Sequence, residues 1–359
     1  MAGDPTYAVA PERPYSSLVR HAIVRLDELP ELPPELVCGV IRRGGKLLVS
    51  GASKAGKSYL LIELSVAVAT GGRWCGFRCA RGRVLYANLE VQEPQFMHRV
   101  FRVAEAMRAD PAEVRDGVDV LNLRGRVSRV DDLVANMAAS FPRGTYDLVV
   151  IDPAYKVQSG SENDADAITA FCGALDGLAE ALGCTIAYSH HHSKGAQGGK
   201  DAADRASGSG VFARDADALV DMIELQPDDA AMEVERILGH QDGAVPFRLE
   251  FVLRDFARPK PRDIWFRYPI HEEDASGALE GCRPKRAGLD AWRARQGDKA
   301  LSEVERACDE LMGDRDEMPR KELVRATGKD VRTVNRYLRQ STIFELLTGE
   351  STATIRRRD

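Results

Sequence analysis

The sequence predicts an α/β fold: a core domain on a mostly parallel sheet, followed by a small C-terminal winged helix-turn-helix domain. Three observations predict it. The apolar run Leu47-Leu48-Val49 leads into a glycine-bounded loop and then into the helical pattern Tyr59 to Leu64. Apolar runs of strand length then alternate with segments of helical period, as parallel α/β sheets require. Beyond residue 298 the pattern changes to short amphipathic helices, a turn and two short strands rich in arginine. The organisation expected is an arm over residues 1–30, the core over 31–270, a charged linker over 271–298 and the winged helix over 299–359.

In the arm, Leu29 to Leu36 holds three prolines and cannot be regular helix. After the loop, Leu60 to Ala69 reads as a helix stopped by Gly71-Gly72, and Arg73 to Gly82 is rich in turn residues. Arg83 to Glu90 is a second core strand with an acid at its end. Phe96 to Met107 carries apolar residues at helical spacing, and Val118 to Leu123 is a short strand. Leu133 to Phe141 is helical. Asp147 to Asp152 is an apolar strand closed by an acid, Ile168 to Leu182 is helical, and Thr185 to Ser189 is a strand that delivers His190, His191 and His192 to the same sheet edge. Ser193 to Gly210 reads as a loop whose order depends on ligand. Ala218 to Leu225, Met232 to Leu238 and Phe247 to Leu253 read as closing strands. Leu301 to Met312, Arg320 to Ala326 and a helix from near Asp330 make the helix-turn-helix, and Phe344 to Leu347 with Thr352 to Ile355 make a hairpin beside it.

Composition sets limits. The 359 residues suffice for one large domain and a small one, and a net charge of −5 is too mild to name a partner. With 44% hydrophobic residues the chain can fill a core, yet no run approaches the roughly 18 apolar residues that span a bilayer. No secretory signal pattern precedes Lys46, so a cytoplasmic location without membrane partners is expected. Seven scattered cysteines without a C-x-x-C pair fit reduced thiols, and Cys75 with Cys79 alone is a poor metal site.

Gly51-Ala52-Ser53-Lys54-Ala55-Gly56-Lys57-Ser58 satisfies every fixed position of the phosphate-binding pattern G-x-x-x-x-G-K-[ST], and Tyr59 opens the helix behind it. Small residues let successive backbone N–H groups turn toward a phosphate, and the helix dipole adds positive potential. Lys57 is expected to neutralise the terminal phosphates of ATP. Ser58 is expected to give a hydroxyl oxygen to Mg²⁺, and Asp152, at a neighbouring strand tip, to reach the same ion; the plain alternative for Asp152 is a solvated strand-end acid. Glu90 is the candidate to activate the attacking water, with Glu93 competing and a helix-capping role as the plain alternative. Three consecutive histidines point in alternating directions and cannot all ligate one metal, so a histidine that senses the γ-phosphate is the better reading.

Two loops leaving the sheet edge carry Lys156 and then Lys194, Lys200 and Arg205, which are either solvated or DNA contacts that respond to phosphate loss. From Pro319 onward ten Lys/Arg face five Asp/Glu, an asymmetry hidden in the whole-chain charge. The last helix would place Arg332, Thr333, Asn335, Arg336 and Arg339 near duplex DNA, with Arg356, Arg357 and Arg358 on phosphates; a protein-binding winged helix or a solvated tail is the alternative.

Taken together, Leu47 to Ser58, Arg83 to Pro94, Leu148 to Asp152 and Ser189 to Gly195 resemble the RecA/DnaB-type P-loop ATPases, within them the AAA-type ATPases similar to plasmid RepA hexameric replicative helicases. The resemblance covers roughly residues 30–255. It implies that Glu90 is the general base, that the γ-phosphate-sensing pair falls at His190 and His191, and that a hexameric ring binds ATP between neighbours and single-stranded DNA in its channel. One position departs from that pattern: the K-x-R motif of DnaB-type members is replaced by Gly239-His240-Gln241. An arginine reaching the neighbouring site would then come from Arg205, Arg214 or Arg236, or turnover would be slow and the protein a switch.

Overall fold

The computed structural model describes residues 27, 29–126, 129–157, 165–192, 211–227, 229–237, 243–285, 303–313, 315–341, 343–348 and 353–357. Residues 1–34 are a unit apart from 35–359, and all that follows concerns the second. Two small antiparallel ladders flank the start of the core, β1 (Glu35–Val37) with β2 (Ile41–Arg42), and β4 (Arg73–Trp74) with β5 (Phe77–Arg78). Between them run β3 (Lys46–Gly51) and α1 (Lys57–Thr70). Next come β6 (Val84–Asn88), α2 (Glu93–Ala106), α3 (Pro111–Gly117), β7 (Val118–Asn122), α4 (Val130–Ser140), β8 (Leu148–Asp152), α5 (Ala165–Leu182) and β9 (Thr185–His191). The core closes with β10 (Ala218–Gln226), β11 (Val245–Leu253), β12 (Arg262–Arg267), β13 (Ile270–Glu273) and the short β14 (Arg283–Pro284).

Among the described residues, ten strands make one sheet in the order β13-β12-β11-β10-β3-β9-β8-β6-β7, with β14 paired to β10. From β10 through β7 neighbours run parallel; from β10 outward to β13 they run antiparallel. Every residue of β3, β6 and β8 is buried. Helices cover both faces, which is why these strands read as unbroken apolar runs. Leu47 and Val49 pack with α1 residues Leu60, Leu61 and Leu64 on one face. Leu48, Val149 and Ile151 pack with Leu133 of α4 and Phe171 of α5 on the other.

The structure departs from the sequence reading in three places. Met232 to Leu238, expected as a strand, lies largely in the helix Asp229–Ile237. Alanine, methionine and glutamate are good helix formers, and Met232 and Ile237 are exposed, so no sheet face calls for an extended chain here. The core sheet also runs past residue 270: Ile264 to Arg267 pairs with Ile270 to Glu273, and Leu225 and Gln226 pair with Pro284 and Arg283, inside the stretch expected as linker. A turn at Tyr268-Pro269 joins β12 to β13 and does not end the domain. Lastly, Pro111–Gly117, to which the sequence reading assigns no element, is a helix capped by Asp110, whose side chain accepts from Ala112 N–H at 2.8 Å.

In the C-terminal part a helix over residues 303–312 precedes β15 (Glu317–Pro319), the helices Arg320–Thr327 and Val331–Gln340, β16 (Phe344–Thr348) and β17 (Ala353–Arg357). The strands form an antiparallel sheet in the order β15-β17-β16. Val304, Cys308, Leu323, Val334, Leu338 and Ile355 form its own buried core. Among the described residues no helix is long and apolar enough to cross a membrane.

Candidate nucleotide-binding and hydrolysis site

β9 lies between β3, which carries the phosphate-loop sequence, and β8, which ends in Asp152. Residues at the tip of β9 are therefore interposed between the loop and the acid. Alternate side chains of a strand face opposite sides, so Ser189 and His191 share one side and His190 takes the other. Ser189 Oγ donates to Asp152 Oδ1 at 2.5 Å, and His191 Nδ1 lies 3.0 Å from Lys57 Nζ.

The loop meets α1 without a side-chain cap. Gly56, its N-cap, is left-handed with φ of 87°, and no acid occupies the first turn. The N–H groups of that turn are thus left for a ligand, whereas α3 and the helix Val331–Gln340 are capped by Asp110 and Asp330. Lys54 is also left-handed, φ 64°. At Gly51 the space is tight for a different reason: a Cβ there would lie 3.1 Å from Met222 Cβ on β10. Lys57 is buried, and its Nζ donates to the carbonyl oxygens of Gly51 (2.9 Å) and Ala52 (2.8 Å). Burial pushes its ammonium down to about 8, against the pull of Asp152, Glu90 and Asp221.

Asp152 is buried, with Tyr86 Oη donating to its Oδ2 at 2.9 Å. The Asp152–Pro153 peptide is cis. Glu90 lies two residues beyond the end of β6, which is the neighbour of β8 with Asn88 opposite Asp152. Asn88 ties down the intervening turn, accepting from Val91 N–H at 3.0 Å and donating to Val91 O at 2.7 Å. Glu90 is exposed and accepts from Tyr155 Oη at 3.1 Å. It does not cap α2, whose N-cap is Gln92 and has no side-chain cap bond.

A cavity of about 540 Å³ gathers these groups: Ser53 to Tyr59, Glu90, Asp152, Tyr155 and His191 all line it. The cradle fits a polyphosphate. A buried ammonium lies on two carbonyls and an imidazole nitrogen, and the first turn of a helix is uncapped behind a left-handed glycine. Among the described residues no cluster of three or more His, Cys, Asp or Glu is placed to hold a metal. Ser58 with phosphate oxygens and water, backed by Asp152, is the arrangement Mg²⁺ ordinarily takes.

His190 is corrected by the structure. It is buried, its ring 4.2 Å from that of Phe212, and its Nδ1 has no hydrogen-bond partner. Burial, with His191 and Lys57 adding to it, pushes its imidazole down to about 4, so it is a neutral core residue. Of the expected histidine pair only His191 lines the cavity. His192 turns away, its Nε2 2.6 Å from the fully buried Asp221, which also accepts from Ser50 Oγ.

A family model described as an AAA domain matches residues 13–197. The chain belongs to that family. It is a P-loop ATPase family of RecA/DnaB-like type, in which the nucleotide is bound and hydrolysed. No curated protein matches the chain. Within this AAA domain the matched region contains Lys57, Glu90, Asp152 and His191, and it ends before β10 to β13.

Several wall residues of the AAA site escape a reading by motif. Tyr155 holds Glu90, and its ring centroid lies 5.4 Å from that of His191. Arg99 and Arg124 bring cations to the cavity; Arg124, two residues past the end of β7, could have been found because strand ends share this edge. Phe266 comes from β12 and lies against Tyr59, centroids 5.4 Å apart.

The DNA-contact candidates fall elsewhere. Lys156 is exposed, its Nζ 5.1 Å from the Tyr155 ring centroid. Lys194, Lys200, Arg205 and Arg358 lie outside the described residues, as do Gly239, His240 and Gln241. Arg332, Arg336 and Arg339 are exposed on the helix Val331–Gln340. Thr333 Oγ1 donates to Asp330 at 2.7 Å, and Asn335 accepts from Arg320 at 3.3 Å. Arg356 and Arg357 pair with Glu345 and Asp309, both at 2.5 Å.

Proposed function

We propose that this protein hydrolyses ATP as a ring of copies acting on DNA, with replicative helicase or translocase as the leading reading. The observation that carries the hydrolysis is the convergence of Lys57, Glu90, Asp152 and His191 on one cavity from four different strand ends. Bound triphosphate would draw Lys57 off the Gly51 and Ala52 carbonyls onto its phosphates. Mg²⁺, held through Ser58 and water, would offset phosphate charge. Glu90, fixed by Tyr155, would take the proton of the attacking water, and His191, between Lys57 and Tyr155, would register loss of the terminal phosphate. Tyr59, Phe266 and Tyr268 form an aromatic tier beyond the loop on which a purine can lie, with Arg99 5.2 Å from the Tyr59 centroid.

Assembly is supported by α2, which leaves Met97 and Phe101 exposed one turn apart. DNA contact is supported by the C-terminal part, which we read as a winged helix whose Val331–Gln340 helix enters the major groove. Arg332 and Arg339 have no carboxylate partner among the described residues, whereas Arg356 and Arg357 are spent on acids. Reversing Arg332, Arg336 and Arg339 to glutamate is expected to weaken duplex binding about a hundredfold or more and to flatten its salt dependence. ATP hydrolysis without DNA should stay unchanged. Unaltered duplex affinity would remove the DNA-binding reading of this helix in favour of a protein partner.

A second reading, an ATP-dependent loader or replication switch without unwinding, is favoured by Gly239-His240-Gln241 standing where DnaB-type ATPases carry cations. Hydrolysis with and without single-stranded DNA, with particle mass recorded in the same buffers, separates the two. Strong stimulation from a ring-sized particle supports the motor. Slow turnover indifferent to DNA, with assembly driven by ATP, supports the switch.

A further inference from the structure

One buried pair has no part in the chemistry above. Glu63, six residues after Lys57 on α1, accepts from the backbone N–H of His271 at 3.1 Å and from its ring Nδ1 at 2.7 Å. The two side chains are 6% and 1% exposed. Burial pushes the Glu63 carboxyl up, and His271 opposes that. The imidazole lies on Phe266, centroids 4.6 Å apart, and its other nitrogen, Nε2, is buried without a hydrogen-bond partner. That nitrogen faces the phosphate loop: a Cβ built on Gly56 would sit 3.1 Å from Nε2 and 3.4 Å from Cε1.

The ring therefore touches the chain on both sides of Lys57. Through Nδ1 it is tied to α1 beyond Lys57; through its opposite edge it abuts the residue just before Lys57. A second cavity, about 870 Å³, is lined by Glu63, Cys75 and His271 and by no residue of the loop, while Gly56 and Phe266, against which the His271 ring lies, line the nucleotide cavity. A buried acid–imidazole pair is a poor way to fill a core, because apolar side chains of like volume do so without desolvating polar groups. Gly56 has no side chain with which to fix its own left-handed conformation.

We infer that His271 is a positioning residue of the phosphate site: locked by Glu63, it braces Gly56 from behind and sets the loop backbone that aims Lys57 and the first-turn N–H groups at a polyphosphate. The inference rests on reading Gly51 to Ser58 as a polyphosphate site. It gives β13, outside the matched family region, a share in nucleotide binding.

The test uses the full chain with His271→Asn, His271→Gln and, as a control lining the same second cavity, Cys75→Ala. Asparagine keeps a donor where Nδ1 bonds Glu63 but nothing against Gly56; glutamine reaches the place of Nε2. Affinity for ATP and for inorganic tripolyphosphate, kcat and KM, and the melting midpoint without nucleotide are measured. His271→Asn is expected to weaken both ligands about tenfold, the scale of a small misplacement of binding groups. His271→Gln should recover much of the loss, and Cys75→Ala should lose nothing. In wild type, the Nε2 resonance of His271 should move when tripolyphosphate saturates the protein, a readout that survives if a variant fails to fold. Variants that melt earlier yet bind both ligands like wild type, or an unmoved resonance, would overturn the inference. Failure of wild type to bind tripolyphosphate more tightly than Lys57→Ala would instead remove the polyphosphate reading, and this inference with it.

Discussion

Glu90→Gln is expected to abolish most ATP turnover while leaving ATP binding intact. The amide has the shape of the carboxylate and can still accept from Tyr155 Oη, 3.1 Å away, so the turn after β6 keeps its form. What the amide cannot do is take a proton from water, and loss of a general base ordinarily costs about 10²–10⁴ in rate. Single-turnover phosphate release should show that loss, with the ATP dissociation constant within about threefold of wild type, the signature of an interaction made only in the transition state. Tyr155→Phe, which removes one hydrogen bond to the same carboxylate, should cost about tenfold. Glu93→Gln is the counter-test: Glu93 sits in the first turn of α2 and does not line the cavity, so its loss should leave turnover nearly unchanged. Turnover of Glu90→Gln at the wild-type rate would hand the role of base to another group.

How much of this site could be read from the chain depends on how local each feature is. Gly51 to Ser58 is contiguous, and an apolar strand ending in Asp152 is contiguous, so both are visible without coordinates. The histidine run is contiguous too, yet which of its members faces the nucleotide follows from a twofold strand alternation that Ser189 fixes. Ser189 reaches Asp152, so His191 must share that side and His190 must enter the core beside Phe212. The outer sheet was less legible because its signals conflict: Pro269 and the acids after it resemble a linker, and Ile270 to Glu273 gains strand character only from its partner Ile264 to Arg267. Glu63 and His271 are 208 positions apart, and nothing in either neighbourhood announces the other. The same holds for Asp221, which underlies Ser50 and His192 at the far side of the loop.

Lys57→Ala is expected to eliminate tight ATP binding, and the intact lysine to give that binding a particular pH dependence. In the free protein burial holds this ammonium down at about 8, against an ordinary 10.5. Between those values the unfolded chain carries more protons than the folded one, so this lysine makes the free protein more stable as pH rises from 8 toward 10.5. Binding has the opposite sign. Phosphate oxygens favour the ammonium, so above pH 8 the protein must take up a proton to bind, and affinity should fall about tenfold per pH unit. Calorimetry in buffers of different ionisation enthalpy would report close to one proton taken up at pH 9 and almost none at pH 6.5. Lys57→Arg, which stays charged throughout, should lose that uptake even where its longer fork binds less well. An affinity for ATP that is level from pH 7 to 9.5 in wild type would mean that Lys57 keeps its full charge in the free loop, with Asp152, Glu90 and Asp221 outweighing burial.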